Sequence, residues 1–311
     1  MPPHNGHRLM CEFASDYVDE LTILVCSMPD EPISGKLRYQ WMKELFPQCR
    51  VLHLDRVVPQ EPSEASNFWE IWKDIVEEFH PEPIDYWFAS EPYGHKMAEI
   101  TDSVFVPVDP KRLTVEMSGT VAREDIYKAW WNLTPPVRAH YVKDVCVFGP
   151  ESSGKSTLAL ALAKTLDTTL VPEYGRIYTE EFGADNLTEA DLRKIVLGHQ
   201  LLTKASRKIA NRILISDTDP VMTCVWSEML LGSNSIDVQS DVDLYLLCDI
   251  DIPWVDDGTR YFSDENDRRR FYDRCEQELI RRNLPYIKVS GTLEQRLRTS
   301  MKAIRNLEVV R

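Results

Sequence analysis

The feature that most constrains the fold of this chain is the nine-residue segment GPESSGKST at positions 149–157. It has the pattern G-x-x-x-x-G-K-[ST], follows the apolar run VCVF and precedes the helix-forming run TLALALAKTL. A glycine-rich turn between a strand and a helix directs backbone N–H groups at one point and so binds phosphate. The segment therefore predicts a P-loop in an α/β domain, and its context disfavours a chance Gly/Ser-rich turn.

The positions of this loop have distinct expected roles. Gly149 and Gly154 stand where a Cβ would clash or where the backbone angles must be unusual. Lys155 is expected to reach the β- and γ-phosphates of ATP, and Ser156 to ligate Mg²⁺ through its hydroxyl. The other loop residues predicted to bind the nucleotide are Ser152, Ser153 and Thr157.

Acidic residues follow two further apolar runs of this half. ILISDTDP supplies Asp217 and Asp219, and LVPEYGR supplies Glu173 and Arg176. We expect Asp217 to hold Mg²⁺ directly or through water, and a carboxylate beside the γ-phosphate to accept the proton of an attacking hydroxyl. Each acid alone could be a turn or helix-cap residue, but their joint placement at two strand ends favours a site.

The segment IPWVDDGTR follows the next strand. Trp254 beside Asp256 could stack a flat cationic ring and pair with its charge. Arg260, and one or more of three consecutive arginines that begin at Arg268, could close over the transferring phosphates as a lid. The alternative for the sequence DENDRRR is a solvated helix start of mixed charge.

Both halves of the chain alternate short apolar strands with amphipathic helical patterns. Continuous apolar strands separated by such helices predict parallel sheets that are covered on both faces. Pro135 and Pro136 interrupt the pattern, so we place the domain boundary near residue 140. The expected architecture is α/β, with two doubly wound parallel-sheet domains at residues 1–138 and 139–311. The strands predicted in the first half are residues 21–27, 49–55, 85–90 and 104–108.

Composition narrows the class of protein. A formal net charge of −14 over 311 residues argues against a nucleic-acid binder, which would carry a basic stripe. We see neither an apolar run of membrane-spanning length nor a secretory leader, so no membrane partner and a cytoplasmic location are expected. The seven cysteines lack the spacing of metal or redox motifs, which fits reduced thiols. Whether the chain forms a homo-oligomer is left open.

The opening of the chain carries a second motif, His4-Asn5-Gly6-His7. It has three interpretations: a metal site, a surface turn without a role, or the cap of the first helix of an adenylyl-transferring domain. In the third, imidazole N–H donors stabilise charge while a phosphate attacks the α-phosphorus of ATP and pyrophosphate leaves. That interpretation requires a second phosphate-binding element, and MSGTVARED supplies Ser118, Thr120 and Arg123.

Several motifs occur together in an order that resembles the NadR-type bifunctional proteins: MPPHNGH, SEPYG, VDPKR, MSGTVAR, GPESSGKST, VPEYGRIY, DTDP and DDGTR. Those proteins combine nicotinamide mononucleotide (NMN) adenylyltransferase with ribosylnicotinamide kinase. The resemblance implies a C-terminal P-loop kinase that phosphorylates nicotinamide riboside with MgATP. It implies an N-terminal Rossmann-like nucleotidyltransferase that joins NMN to AMP, making NAD and pyrophosphate.

The resemblance also assigns residues. In the transferase it implies ATP binding by His4, His7, Ser118, Thr120 and Arg123, and NMN binding by Arg38, Glu91 and Tyr93. In the kinase it implies MgATP binding by Lys155, Ser156 and Asp217, and a general base that is either Glu173 or Asp219. Further substrate contacts are expected from Tyr174, Arg176, Trp254 and Asp256.

This sequence differs from NadR-type members in two ways, and these differences leave alternative functions open. Members carry a strand and a Gly-x-Phe-like segment before the histidine loop, whereas this sequence starts at the loop. Because that strand is central, its absence is expected to leave neighbouring strands without a pairing partner. A kinase-only protein with an inactive or nucleotide-sensing N-terminal half is therefore an alternative, and a P-loop kinase for another nucleoside is a third. Some members carry a DNA-binding helix-turn-helix; none is expected here.

Overall fold

The computed structural model describes residues 2–115, 125–183, 186–232, 236–254 and 264–307. The chain divides into two compact units, Met1–Val137 and Arg138–Arg311. Helices alternate with strands in both units, and all strand pairs are parallel. The predicted α/β class with parallel sheets is confirmed. None of the described helices is both long and apolar enough to cross a membrane.

The first unit contains two parallel strand pairs. Its elements are α1 (Asn5–Tyr17), β1 (Thr22–Ser27), α2 (Gly35–Leu45), β2 (Arg50–Asp55), α3 (Phe68–Phe79), β3 (Tyr86–Ala89), α4 (Tyr93–Ile100), β4 (Val104–Pro107) and the 3-10 helix Trp130–Asn132. β1 pairs with β2, and β3 pairs with β4. Within the described residues no ladder joins the two pairs. Helix α5 (Pro135–Tyr141) leads into the second unit.

Small apolar clusters hold the elements of the first unit together. Met42 and Phe46, from α2 and the residue that ends it, pack with Cys11 of α1 and Val51 of β2. Rings of α1 lie edge-on against a ring of β3, since Tyr17 and Phe88 have centroids 5.5 Å apart. The helices therefore cover each strand pair, although most side chains of β1 stay only half-buried.

The second unit is built on one five-stranded parallel sheet with the order β6-β7-β5-β8-β9. Its elements are β5 (Lys143–Phe148), α6 (Lys155–Thr165), β6 (Leu170–Val171), α7 (Tyr174–Phe182), α8 (Glu189–Arg207), β7 (Ile213–Asp217), α9 (Pro220–Leu231), β8 (Leu244–Cys248), α10 (Glu265–Arg281), β9 (Tyr286–Val289) and α11 (Leu293–Arg305). The three central strands are buried almost completely. The carboxyl ends of β5, β6 and β7 therefore lie at one edge of the sheet, where an α/β protein binds its ligands.

Candidate active sites

The P-loop of the second unit connects β5 to α6 through a backbone that only small residues tolerate. Gly149 has a φ of 135°, and a Cβ there would lie 2.9 Å from the carbonyl oxygen of Cys248. Gly154, the N-cap of α6, has a φ of 80°. The close contact at Gly149 is with the neighbouring strand end, so glycine is required before any phosphate is bound.

Lys155 and Ser153 converge on one carbonyl group of this loop. Lys155 Nζ donates to the Pro150 oxygen at 2.8 Å, and Ser153 Oγ donates to the same oxygen at 2.7 Å. Lys155 is 8% exposed, so its ammonium is held inside the loop by this carbonyl. A phosphate that enters the loop offers the ammonium a charged acceptor in place of a neutral one.

Arg296 of α11 holds the backbone of the P-loop in place, and the sequence alone did not indicate this role. Its guanidinium donates to the carbonyl oxygens of Ser153 at 2.8 Å, Gly291 at 2.9 Å and Asp249 at 3.1 Å. It also forms an ion pair with Asp251 and is 2% exposed. Because Arg296 lies 143 residues from Ser153 in the chain, no local pattern in the sequence indicates this contact.

Asp217, at the end of β7, lies beside the first turn of α6. Burial raises the pKa of its carboxyl; the Lys155 charge opposes this shift, the Glu173 charge reinforces it, and a hydrogen bond from Ser156 opposes it. Its Oδ1 is buried and has no hydrogen-bond partner among the described residues. The structure thus brings Lys155, Ser156, Asp217 and Glu173 close together.

Asp219 has a different environment, although only one residue separates it from Asp217. Its Oδ1 accepts from the backbone N–H of Val221 at 3.1 Å, which caps α9, and its Oδ2 accepts from the Tyr245 hydroxyl at 2.5 Å. Burial raises the pKa of Asp219 to about 6. Because both carboxylate oxygens of Asp219 are engaged in structural hydrogen bonds, Glu173 is the better candidate of the two predicted general bases.

Glu173 is the residue that precedes α7, and its side chain is 19% exposed. Its Oε2 lies 3.5 Å from Nε of Arg176, one turn later on the same helix. Both residues line the same cavity as Lys155 and Ser156. The carboxylate is consequently accessible from the cavity, and its charge acts on the carboxyl of Asp217.

This cavity has a volume of roughly 190 Å³ and two chemically distinct ends. One end consists of P-loop residues with Glu173 and Arg176; Asp219 also lines the cavity, whereas Asp217 is not among the lining residues. The other lies between α8 and α9 and is mainly apolar, lined by Leu192, Ile195, Met222, Trp226 and Leu230, with His199 and Thr223 as polar residues. A ligand with a phosphorylatable end and a flat apolar end matches this arrangement.

Trp254 and Arg268 do not line this cavity. Arg268 is buried, and its Nη2 donates to the carbonyl oxygen of Ile252 at 3.3 Å. Ile252 in turn lies beside Gly154, since a Cβ on that glycine would be 3.1 Å from Ile252 Cδ1. The indole N–H of Trp254 is buried without a partner in the described part of the chain. Asp256 and Arg260 lie outside the described residues.

In the first unit, His4 and His7 cap α1. His4 Nδ1 accepts from the backbone N–H of Gly6 at 3.1 Å. The backbone N–H of His4 in turn donates to His7 Nδ1 at 3.4 Å. The two rings stack with centroids 3.9 Å apart. Burial lowers the pKa of His4 to about 4 and that of His7 to about 3, so both imidazoles are neutral at pH 7. His4 is 6% exposed, which excludes a surface turn.

Two arginines flank this histidine pair. The Arg112 charge contributes to the lowered pKa of both histidines, and Arg38 contributes to that of His7. Arg112 pairs with Glu91, and the buried Arg38 pairs with Glu31. Arg112 belongs to the VDPKR motif but was not assigned a role from the sequence; its φ of 52° is the structural sign of a constrained loop.

Of the remaining predicted residues of this unit, Tyr93 lies within the described ranges. Tyr93 begins α4 and is 55% exposed. Ser118, Thr120 and Arg123 lie outside the described residues. No group of three or more His, Cys, Asp or Glu side chains that could hold a metal ion occurs in the described ranges, so the structure gives no support to a metal site at His4 and His7.

Acidification is predicted to destabilise the first unit through its histidines. Their folded-state pKa values lie below the ordinary 6.5, so the unfolded chain binds more protons, and stability present above pH 6.5 is lost as the pH falls. Between pH 8 and pH 5 each histidine should cost about 2 kcal/mol. His4→Asn keeps a capping side chain without a titrating group. Urea unfolding at both pH values should show a smaller loss for this variant; an equal loss contradicts the assignment.

Removing the Arg296 guanidinium is predicted to weaken both the fold and nucleotide binding. Arg296→Ala leaves three buried carbonyl groups without their donor and should lower the free energy of unfolding by about 3 kcal/mol. MgATP affinity, measured by calorimetry, should fall with it. The control is Arg298→Ala on the same helix, whose ion pair with Glu294 is exposed. That change should cost less than about 1 kcal/mol; equal effects of both variants contradict the role of Arg296.

The chain is similar to known proteins in both sequence and structure. A family model described as an AAA domain matches residues 144–296. The trifunctional NAD biosynthesis/regulator proteins NadR of Salmonella typhimurium and Escherichia coli are each 29% identical over 314 residues, which cover 93% of this chain and 76% of theirs.

Two solved structures also superpose on this chain. They are crystal structures of NadR protein, one in complex with NR and one with NAD and AMP-PNP; each has a TM-score of 0.69 at 20% identity. They cover 98% and 100% of this chain, and 93% and 94% of their own length is matched. The resemblance to NadR-type proteins that the sequence motifs indicate is confirmed over nearly the whole chain.

Proposed function

We propose that the second unit is a nicotinamide riboside kinase and that the protein acts in NAD biosynthesis. The observation that carries this proposal is the convergence of Lys155, Ser156 and Glu173 at one end of a cavity whose other end is mainly apolar, with Asp217 hydrogen-bonded to Ser156 beside them. Nicotinamide riboside has a reactive 5′-hydroxyl at one end and a flat ring at the other. The similarity to NadR, and to a NadR structure with bound NR, supports this choice of substrate over another nucleoside.

ATP is bound by the P-loop in this proposal. The N–H groups of residues 149–157 and the N-terminus of α6 face the phosphates and provide the positive field. Lys155 exchanges the Pro150 carbonyl for the β- and γ-phosphates. Ser152, Ser153 and Thr157 complete the loop, and Arg296 keeps the backbone in place.

Mg²⁺ fits the residues that are present. Asp217 Oδ1 is a buried oxygen without a described partner, and the Ser156 hydroxyl lies beside the same carboxylate. One carboxylate and one hydroxyl are what Mg²⁺ usually takes from a protein when phosphate oxygens and water supply its other ligands. The ion would neutralise the charge that the β- and γ-phosphates develop during transfer.

Glu173 is the proposed general base. The 5′-oxygen of the riboside forms a bond to the γ-phosphorus, the bond from that phosphorus to the β–γ bridging oxygen breaks, and ADP leaves. The proton of the 5′-hydroxyl passes to Glu173. Arg176 orients the carboxylate through their 3.5 Å ion pair, and Tyr174, the first residue of α7, is a proposed substrate contact. Arg260 and Arg268 as a lid, and Trp254 with Asp256 as partners of the cationic ring, stay predictions from the sequence, and Trp254 does not line this cavity.

For the first unit we propose NMN adenylyltransferase activity. Neutral imidazoles of His4 and His7 at the start of α1, with Arg38 and Arg112 nearby, give donors and positive charge for two phosphate groups. Ser118, Thr120 and Arg123 are the proposed second phosphate-binding element, and Glu91 and Tyr93 the proposed NMN contacts. The observation that favours the alternative, a nucleotide-sensing or inactive module, is that no described ladder joins the two strand pairs.

Substitution of the two candidate bases should separate their roles. Glu173→Gln should lower kcat for riboside phosphorylation about 10²–10⁴-fold, because it removes the proton acceptor. Asp219→Asn should mainly lower the melting temperature, because it weakens the cap of α9 and the bond to Tyr245. Steady-state kinetics and thermal unfolding of both variants provide the test. A larger kinetic loss in Asp219→Asn would assign the proton to Asp219.

Two reactions run separately test the bifunctional proposal. Wild-type protein with MgATP should convert nicotinamide riboside to NMN, and NMN to NAD with release of pyrophosphate. Lys155→Ala should lower the first rate about 10²–10³-fold and leave the second unchanged, because the two sets of residues lie in different units. Intact riboside phosphorylation without NAD formation would favour the kinase-only alternative. Loss of both activities in a folded Lys155→Ala protein would contradict two sites.

A further inference from the structure

The apolar end of the cavity contains a polar group for which the reaction described so far has no use. His199 lines this end and is 3% exposed. Its Nε2 is buried and finds no hydrogen-bond partner among the described residues. A buried ring nitrogen that is left unpaired is costly, so an atom of this kind facing a cavity indicates a hydrogen bond to a bound ligand.

The position of His199 on its helix explains why it faces the cavity. Leu192, Ile195 and Val196 are the buried residues that precede it on one face of α8, and His199 continues that face one turn later. Leu192 and Ile195 also line the cavity. At helical spacing an apolar stripe usually continues with an apolar residue, and here it continues with an imidazole.

A close packing contact holds this part of α8 in place. A Cβ on Gly198 would lie 2.1 Å from the ring of Tyr174, so the absence of a side chain at residue 198 lets that ring lie directly on the helix. Tyr174 follows the proposed base Glu173 in the chain. The His199 end of the cavity is thereby coupled in position to the phosphate end.

The charge distribution along the cavity separates the two ends. Lys155 and Arg176 are the cations among the described lining residues, and both lie close enough to Asp217 to influence its carboxyl. Burial lowers the pKa of His199 to about 4, so its ring is neutral at pH 7. Because the His199 imidazole is neutral, it does not repel a positively charged pyridinium ring bound near Trp226 in the same cavity. For the same reason it cannot form an ion pair with a carboxylate on the ring.

We propose that His199 is a specificity-determining residue, whose Nε2 hydrogen-bonds an uncharged amide on the flat ring of the acceptor nucleoside. In nicotinamide riboside that group is the ring carboxamide, and Nε2 donates to its oxygen or accepts from its nitrogen according to the tautomer. The ring itself lies against Met222 and Trp226. This inference rests on the proposed kinase function and names the part of the acceptor that the cavity recognises.

The test compares two acceptors with wild-type protein and three variants. The acceptors are nicotinamide riboside and the riboside of unsubstituted pyridine, which lacks the amide. His199→Leu should raise KM for nicotinamide riboside about 10-fold, leave KM for ATP unchanged and remove the preference for the amide-bearing acceptor. His199→Gln, which places an amide near the position of Nε2, should restore part of the preference.

Thr203→Val is the matched control. Thr203 lies on the same helix, one turn after His199; its Oγ1 is likewise buried without a described partner, and it is not among the residues that line the cavity. This variant should keep the wild-type preference. If His199→Leu lowers turnover of both acceptors equally, or if Thr203→Val has the same effect, the inference is overturned while the kinase function stands. If wild-type protein phosphorylates neither riboside, the kinase function fails and this inference fails with it.

Discussion

The turn between β5 and α6 is the constraint on which the rest of the second unit depends. Its backbone takes positive φ values at Gly149, Ser152 and Gly154, and such a turn is stable only when its surroundings fix it. Inside the turn, Lys155 and Ser153 share the Pro150 carbonyl. From outside, Arg296 binds Ser153 and the end of β8 together. The P-loop is thus preorganised by a buried cation before any nucleotide arrives.

The two units differ in how their strands are stabilised. In the second unit β5 pairs with β7 on one edge and with β8 on the other, and all of its residues from Asp144 to Phe148 are buried. In the first unit β1 and β3 each pair on one edge within the described residues, and most side chains of β1 are half-buried. Site geometry in an α/β domain depends on the strand ends that carry it. The proposed kinase therefore has the firmer structural basis of the two activities.

Local patterns in the sequence predicted most of the fold. The strands expected at residues 21–27 and 49–55 correspond to β1 (Thr22–Ser27) and β2 (Arg50–Asp55), because short apolar runs between turn residues form strands. The P-loop was equally predictable from the sequence, since all of its residues are contiguous. Arg296 and His199 were not, because their roles depend on contacts with residues far away in the chain. An arginine in a polar helix has no distinctive local signature, and a histidine that interrupts an apolar stripe does not reveal from the sequence alone what its ring faces.

The segment Asp217-Thr218-Asp219 shows why sequence spacing alone cannot assign two neighbouring acids. Thr218 has a φ of 67°, which is uncommon for a β-branched residue, and its N–H donates to the Val147 carbonyl of β5 at 2.9 Å. This turn ends the strand with Asp217 beside Ser156 and starts α9 with Asp219 as its cap. Strain of this kind concentrates at functional sites. One backbone turn therefore gives one carboxylate to the proposed metal site and the other to the fold.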